Sequence, residues 1–215
     1  MKVMGFDPSK TSGISLWDTK RDHSSIWCDI LRMPDECDHY WFGVQIQRKI
    51  LRIIKEQGKP DLGVVEQQSL NSMGNNLDGV IYPWGATQAF CGVLGVYGIP
   101  VVRIAPQSWH VPFFGRGFKP PFKVHQLKKP DPRTGKTERI EYLWKDACVK
   151  ACEDMGIQLP KPKSLAHNAA DACALAICWR TGKPISEEYH PKFIELIQQR
   201  NERAPSGDLF AGVGA

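Results

Sequence analysis

Short apolar runs alternate with longer stretches of helical periodicity along this chain. Residues 2–7 form an apolar run, Val3-Met4-Gly5-Phe6, closed by Asp7. Residues 13–17 form a second, and the short turn Pro8-Ser9-Lys10-Thr11-Ser12 between them predicts a hairpin. Residues 25–31 supply a third strand. Over residues 38–57, Val44, Ile46, Ile50, Leu51, Ile53 and Ile54 fall broadly at helical spacing, and Gly58-Lys59-Pro60 ends the helix. Residues 62–66 read as a buried strand that ends on Glu66. Residues 83–97 read as a helix with Ala86, Ala89, Phe90, Val93, Leu94 and Tyr97 on one side, and residues 100–104 as a fifth strand.

Pro106 then opens a short helix through Trp109 and His110, broken by Gly115-Arg116-Gly117. The basic, proline-rich residues 119–137 predict an irregular, mobile segment. Residues 138–155 read as a helix capped by Gly156. After the extended Pro160-Lys161-Pro162-Lys163, Ser164 is the expected cap of a helix that Gly182 ends. Residues 187–203 suggest one more helix, and residues 204–215 a disordered tail. The order predicts an α/β fold: a mixed five-stranded sheet, three strands antiparallel and then two parallel, with helices on both faces. Residues 1–182 would be one domain with a basic insertion at about 115–137. Residues 183–215 would be a C-terminal helix and flexible tail.

Composition adds little until it is mapped. The 215 residues carry a formal charge of +5, weak evidence alone for nucleic acid. Between residues 103 and 150, however, basic residues dominate and acids are sparse until Glu138. Residues 79–102 hold no charge, but Pro83, Pro100 and several glycines fit a buried helix and strand better than a membrane span. The seven cysteines form no CxxC pair, and Asp7 precedes any signal-like apolar core. Free thiols and a cytoplasmic setting are expected. Cys37-Asp38-His39, with Cys28 and His23, fits no common zinc spacing.

The chemistry rests on three acids. A carboxylate at the end of an apolar strand is costly to desolvate without a cation or partner. Asp7 and Glu66 both occupy such positions. Asp171 lies in an alanine-rich helical stretch, a poor place for an unpaired acid. Hard cations such as Mg²⁺ take oxygen ligands of this kind, and a pair of them suits phosphoryl displacement. His167, four residues before Asp171, shares its helical face. Asn168, three residues before it, is the rival fourth ligand.

These residues carry a resemblance. Gly5-Phe6-Asp7-Pro8-Ser9-Lys10-Thr11-Ser12-Gly13, Val64-Val65-Glu66-Gln67 and Asn168-Ala169-Ala170-Asp171-Ala172 stand in the order and spacing of three motifs of the RuvC family of Holliday-junction resolvases, in the RNase H-like superfamily. The resemblance covers about residues 1–180. Ser9 stands where the family often has glycine. Asn168 stands where it has an acid or histidine, and Ser69, Leu70 and Met73 where many members carry an aromatic wedge.

The resemblance implies a homodimeric endonuclease that cuts four-way DNA junctions with two Mg²⁺ ions, for which Mn²⁺ substitutes. Asp7, Glu66 and Asp171, with His167 or Asn168, would hold the metal. Arg103, His110, Arg116, Lys119 and Lys123 are the candidate DNA contacts. Phe113, Phe114, Phe118 and Phe122 interleave with that basic run, as aromatics that stack on unpaired bases do. The central helix, through Phe90, Val93, Leu94 and Tyr97, offers a dimer face or a monomer core. Three alternatives stand beside this reading: a nuclease of the same fold for other branched or flapped DNA, a non-catalytic junction binder, and an actin-like ATPase. The last lacks its second phosphate hairpin here.

Overall fold

The computed structural model describes residues 1–34, 36–68, 77–127, 129 and 135–203. Ser69, Leu70, Met73, Lys128, Arg133 and the tail at 204–215 lie outside the described residues. The sheet is built from β1 (Lys2–Asp7), β2 (Thr11–Asp18), β3 (Trp27–Arg32), β4 (Leu62–Glu66) and β5 (Val101–Ile104). The β1–β2 and β2–β3 pairs are antiparallel, and β1–β4 and β4–β5 are parallel, as expected. A sixth short strand, β8 (Lys183–Pro184), joins β5 antiparallel, giving the order β3-β2-β1-β4-β5-β8.

Strand alternation sorts the core into two layers. Met4, Phe6, Ile14, Val65 and Val101 pack under α1 (His39–Gln57) and α2 (Asp78–Val96). Val3, Leu62, Val64, Val102 and Ile104 pack under α3 (Pro106–Phe114), α4 (Trp144–Asp154), α5 (Lys163–Ile177) and α6 (His190–Arg203). On the first face, Phe6 stacks on Phe90 with ring centroids 4.6 Å apart. Phe90, Val93 and Leu94 are buried within this one chain, so that side of α2 is core. Tyr97, at its end, is exposed. Among the described residues no helix is long and apolar enough to cross a membrane.

Several expectations need correction. Residues 122–126 are not irregular, and residues 138–142 are not helical. They form an antiparallel strand pair, the β6–β7 hairpin, of β6 (Phe122–Gln126) and β7 (Glu138–Tyr142). Phe122, Val124, Ile140 and Tyr142 alternate with polar residues at period two, which suits a strand with one apolar face. Leu143, at φ −89° and ψ 60°, separates β7 from α4. The N-cap of α5 is Pro162, not Ser164. The expected C-terminal helix is present as α6, and residues 183–203 pack on the sheet: β8 extends it and α6 buries Phe193 and Leu196 in the core.

Candidate active site

Asp7 and Glu66 come together through strand register. Phe6 lies beside Val65 in the parallel β1–β4 pair, so the next positions are Asp7 and Glu66. Adjacent strands lie about 4.8 Å apart. Both acids follow the parity of Val3 and Val64, which puts them on the α5 face of the sheet.

Helix α5 reaches that face because β1 and β2 offer it almost no side chain. A Cβ on Gly5 would stand 2.0 Å from the carbonyl oxygen of Ala172, and one on Gly13 would stand 1.8 Å from that of Asn168. Only glycine permits such backbone approach. The Ser15 hydroxyl donates to the same Ala172 carbonyl at 2.8 Å. Ala169, Ala170, Ala172, Ala174 and Ala176, all fully or nearly fully buried, complete the close contact. Asp171 is thereby carried to the ends of β1 and β4.

The three carboxylates are electrically one group. Burial, then the charges of Glu66 and Asp171, push the Asp7 carboxyl well above its usual range. Asp7 is only 9% exposed. Burial raises Asp171 to about 7, with repulsion from Glu66 adding to it and a hydrogen bond from the Cys148 thiol opposing it. Burial also raises Glu66, against a hydrogen bond that Trp109 Nε1 donates to Oε1 at 3.2 Å. One cation opposes all three acids, the ammonium of Lys145 on α4.

The two candidate fourth groups are engaged differently. Asn168 Nδ2 donates to Ser9 Oγ at 3.3 Å and to the Thr11 carbonyl, tying α5 to the β1–β2 turn. The turn is further braced by the Ser12 hydroxyl, which donates to the Ser9 carbonyl at 2.7 Å. His167 Nε2 lies 3.2 Å from Asp146 Oδ1 on α4, and its ring is about a quarter exposed.

The DNA candidates divide. His110, on α3, stacks on Trp144 with centroids 4.2 Å apart, and burial holds its pKa below the ordinary histidine value. Arg116, Lys119 and Lys123 follow α3 and are exposed, and Lys119 lines a groove beside α4. Arg103 is not with them. It shares the parity of Val101 on β5 and so lies on the α1–α2 face, away from the carboxylates. Of the four interleaved phenylalanines, Phe113 is core, Phe114 is partly buried, and Phe118 and Phe122 are exposed.

Sequence reasoning missed Lys145, Cys148 and Trp109 as members of the site. Lys145 and Cys148 stand three residues apart, a spacing that puts them on one helical face. Nothing local marks Trp109, whose role depends on where α3 docks.

Among the described residues no three His, Cys, Asp or Glu side chains are already gathered round one point as a closed ligand set. The donor chemistry nonetheless fits a hard cation. Three desolvated carboxylates face, among the described residues, the ammonium of Lys145, and oxygen donors of this kind suit Mg²⁺ or Mn²⁺.

No family model matches the chain, and no curated protein matches it. Solved structures do. The chain is similar to RuvC of Thermus thermophilus in complex with Holliday junction substrate, with a TM-score of 0.59 and 17% identity over 86% of this chain and 99% of that one. A second Thermus thermophilus RuvC structure gives a TM-score of 0.57 and 18% identity over 86% and 100%. The chain thus has the RNase H-like fold of RuvC, the Holliday-junction resolvase that its three acid motifs resemble.

Proposed function

We propose that this protein is a metal-dependent endonuclease that cuts four-way DNA junctions. The observation that carries the reading is the meeting of Asp7, Glu66 and Asp171 on one face of the sheet, desolvated and short of positive charge. These three side chains would hold the divalent ions. Bound there, Mg²⁺ supplies Lewis acidity to the attacking water and to the leaving oxygen.

The chain's own groups do the positioning. Trp109 fixes one oxygen of Glu66. The Cys148 thiol donates to Asp171 and favours its charged form. Lys145 offers its ammonium to the anionic phosphate as well as to the acids. His167, whose ring Asp146 orients, and Asn168, whose amide nitrogen is held by the turn and which would bind a cation through its oxygen, are the two candidate fourth groups. Hydrolysis forms a bond from the water oxygen to phosphorus and breaks the P–O3′ bond, and the leaving oxygen takes up a proton. His110, Arg116, Lys119 and Lys123 are the proposed DNA contacts. A four-way junction has approximate two-fold symmetry, so two copies of the chain would act on it as a C2 dimer.

The test is cleavage of synthetic four-way junctions, flaps and plain duplexes in Mg²⁺ and in Mn²⁺, beside Asp7→Asn. Junctions should be cut in preference to the others. Asp7→Asn should lose at least about a thousandfold in rate while still binding junctions. A fully active Asp7→Asn protein would sink the assignment, and a preference for flaps would redirect it to other branched DNA.

A further inference from the structure

The β6–β7 hairpin belongs to neither core layer. All ten of its strand residues are exposed, yet one face is apolar, with Phe122 opposite Tyr142 and Val124 opposite Ile140. A bare two-stranded hairpin is marginal in water, and an exposed apolar face of this size marks a binding surface. That face looks onto a groove of about 1250 Å³, closed on the far side by α4 and by the stacked pair Phe114–Phe118, whose centroids are 4.5 Å apart. Trp144 forms part of the wall and joins the groove to the site. Trp144 stacks on His110, His110 packs on Trp109, and Trp109 holds Glu66. Lys145, the next residue, faces the carboxylates.

The charge around the groove identifies its occupant. Residues 115–142 hold eight of the 28 Lys and Arg but only three of the 23 Asp and Glu, so the rest of the chain is neutral. The whole +5 excess sits on this insertion. Of the acids that line the groove, Asp154 is paired with Lys150, and Asp146 lies 3.2 Å from Nε2 of His167. Among the described residues, Arg116, Lys119 and Lys123 make no ion pair. Lys119 lines the groove itself, while Lys123 lies on the other face of β6 from Phe122. Exposed aromatic faces with an uncommitted cation among them match the chemistry of single-stranded DNA, whose bases stack while its phosphates need positive charge.

We propose that the groove between the β6–β7 hairpin and α4 binds unpaired DNA bases, stacked among Phe118, Phe122, Tyr142 and Trp144, with Lys119 at the backbone. The proposal rests on the DNA-directed reading above and adds a second contact, beside the carboxylates rather than on them. It gives strands opened at a branch point a place to go.

The test uses the full chain in EDTA, so that no outcome depends on cleavage. Binding of fluorescein-labelled oligothymidine and of a duplex of equal length is followed by anisotropy. Phe122→Ala with Tyr142→Ala should weaken oligothymidine binding about tenfold or more, and leave duplex binding within about twofold. Phe118→Ala, outside the hairpin, should act in the same direction. Phe122→Tyr with Tyr142→Phe should retain binding, which separates stacking from collapse of the hairpin. Lys119→Gln should weaken both ligands. An equal loss for duplex in the alanine variants, or no loss for either, overturns the proposal. So does a dimer that the alanine pair dissociates with oligothymidine binding unchanged, because the groove would then be an interface between copies. If junctions are never cut but oligothymidine binding behaves as stated, the nuclease reading fails and this one stands.

Discussion

The carboxylate site and the β6–β7 hairpin sit side by side and are built in opposite ways. The site is held by backbone packed on backbone, with Gly5 and Gly13 under α5 and alanines all round. Its acids are desolvated, and their positions are set by strand register and by one helix. The hairpin carries no buried residue, and its ends connect through Pro121 and Leu143 to the aromatic wall. On the proposed reading, chemistry that needs sub-ångström placement would be mounted on the rigid part, and recognition of a flexible polymer on the exposed part.

The strongest way to break that comparison is to change one side chain on each side of it. Gly13→Val drives a branched side chain into the Asn168 carbonyl. Overpacking of this kind costs about 1–3 kcal/mol and occasionally more, and the Asn168 carbonyl is helix backbone that has no rotamer to give. A loss of about 3 kcal/mol or more is expected in urea unfolding, with cleavage lost along with it. Val124→Ala, which removes two methyls from the exposed hairpin face, should cost less than about 0.5 kcal/mol. Similar costs at the two positions would show that the two regions are equally tolerant.

The second contrast is electrostatic. Asp171 is raised to about 7 by burial, with Glu66 adding repulsion. Its folded pKa is above its unfolded value, so the folded state binds more protons between those two values. The stabilising effect of protonated Asp171 is fully present below the unfolded pKa, near 3.8, and is lost as pH rises toward about 7. Without divalent metal, the midpoint temperature of the wild type should therefore fall from pH 5 to pH 8, by about 5 °C if two pKa units are expressed. Asp171→Asn should flatten that fall and be the more stable protein at pH 8. Mg²⁺ should restore the wild type at pH 8 and leave Asp171→Asn nearly unmoved. A wild-type curve parallel to that of the variant would mean that these acids are as well solvated as the hairpin's.

The same contrast explains what could be read from the chain. The strands that end on Asp7 and Glu66 were legible because buried strands are apolar and an acid at their end stands out. The alanines around Asp171 marked a close-packed helix. The hairpin was not legible as such. Its period-two pattern in residues 122–126 and 138–142 is local and exposed, a proline-rich stretch separates the halves, and the second half merged with the helical pattern of α4. Arg103 was grouped with the other basic residues because linear position does not reveal which face of β5 it occupies. Lys145, Cys148 and Trp109 enter the site only through the docking of α3 and α4.

The smallest contrast compares two amides. Asn168 donates to Ser9 Oγ and the Thr11 carbonyl from a half-buried position between α5 and the β1–β2 turn. Gln126 Nε2 donates to Glu138 across the exposed hairpin at 2.8 Å. A hydrogen bond contributes about 0.5–1.5 kcal/mol net, and more is lost when a buried partner is left unsatisfied. Asn168→Ala should cost about 1–2 kcal/mol, while Gln126→Ala, whose partner water can replace, should cost less than about 0.5 kcal/mol. The functional readouts should separate as well. Asn168→Ala loosens the turn that begins at Asp7 and should slow cleavage without changing oligothymidine binding; Gln126→Ala should change neither. If Asn168→Ala left both stability and cleavage intact, the amide would not be what seats α5 on the turn, and the glycine and alanine packing alone would have to position Asp171.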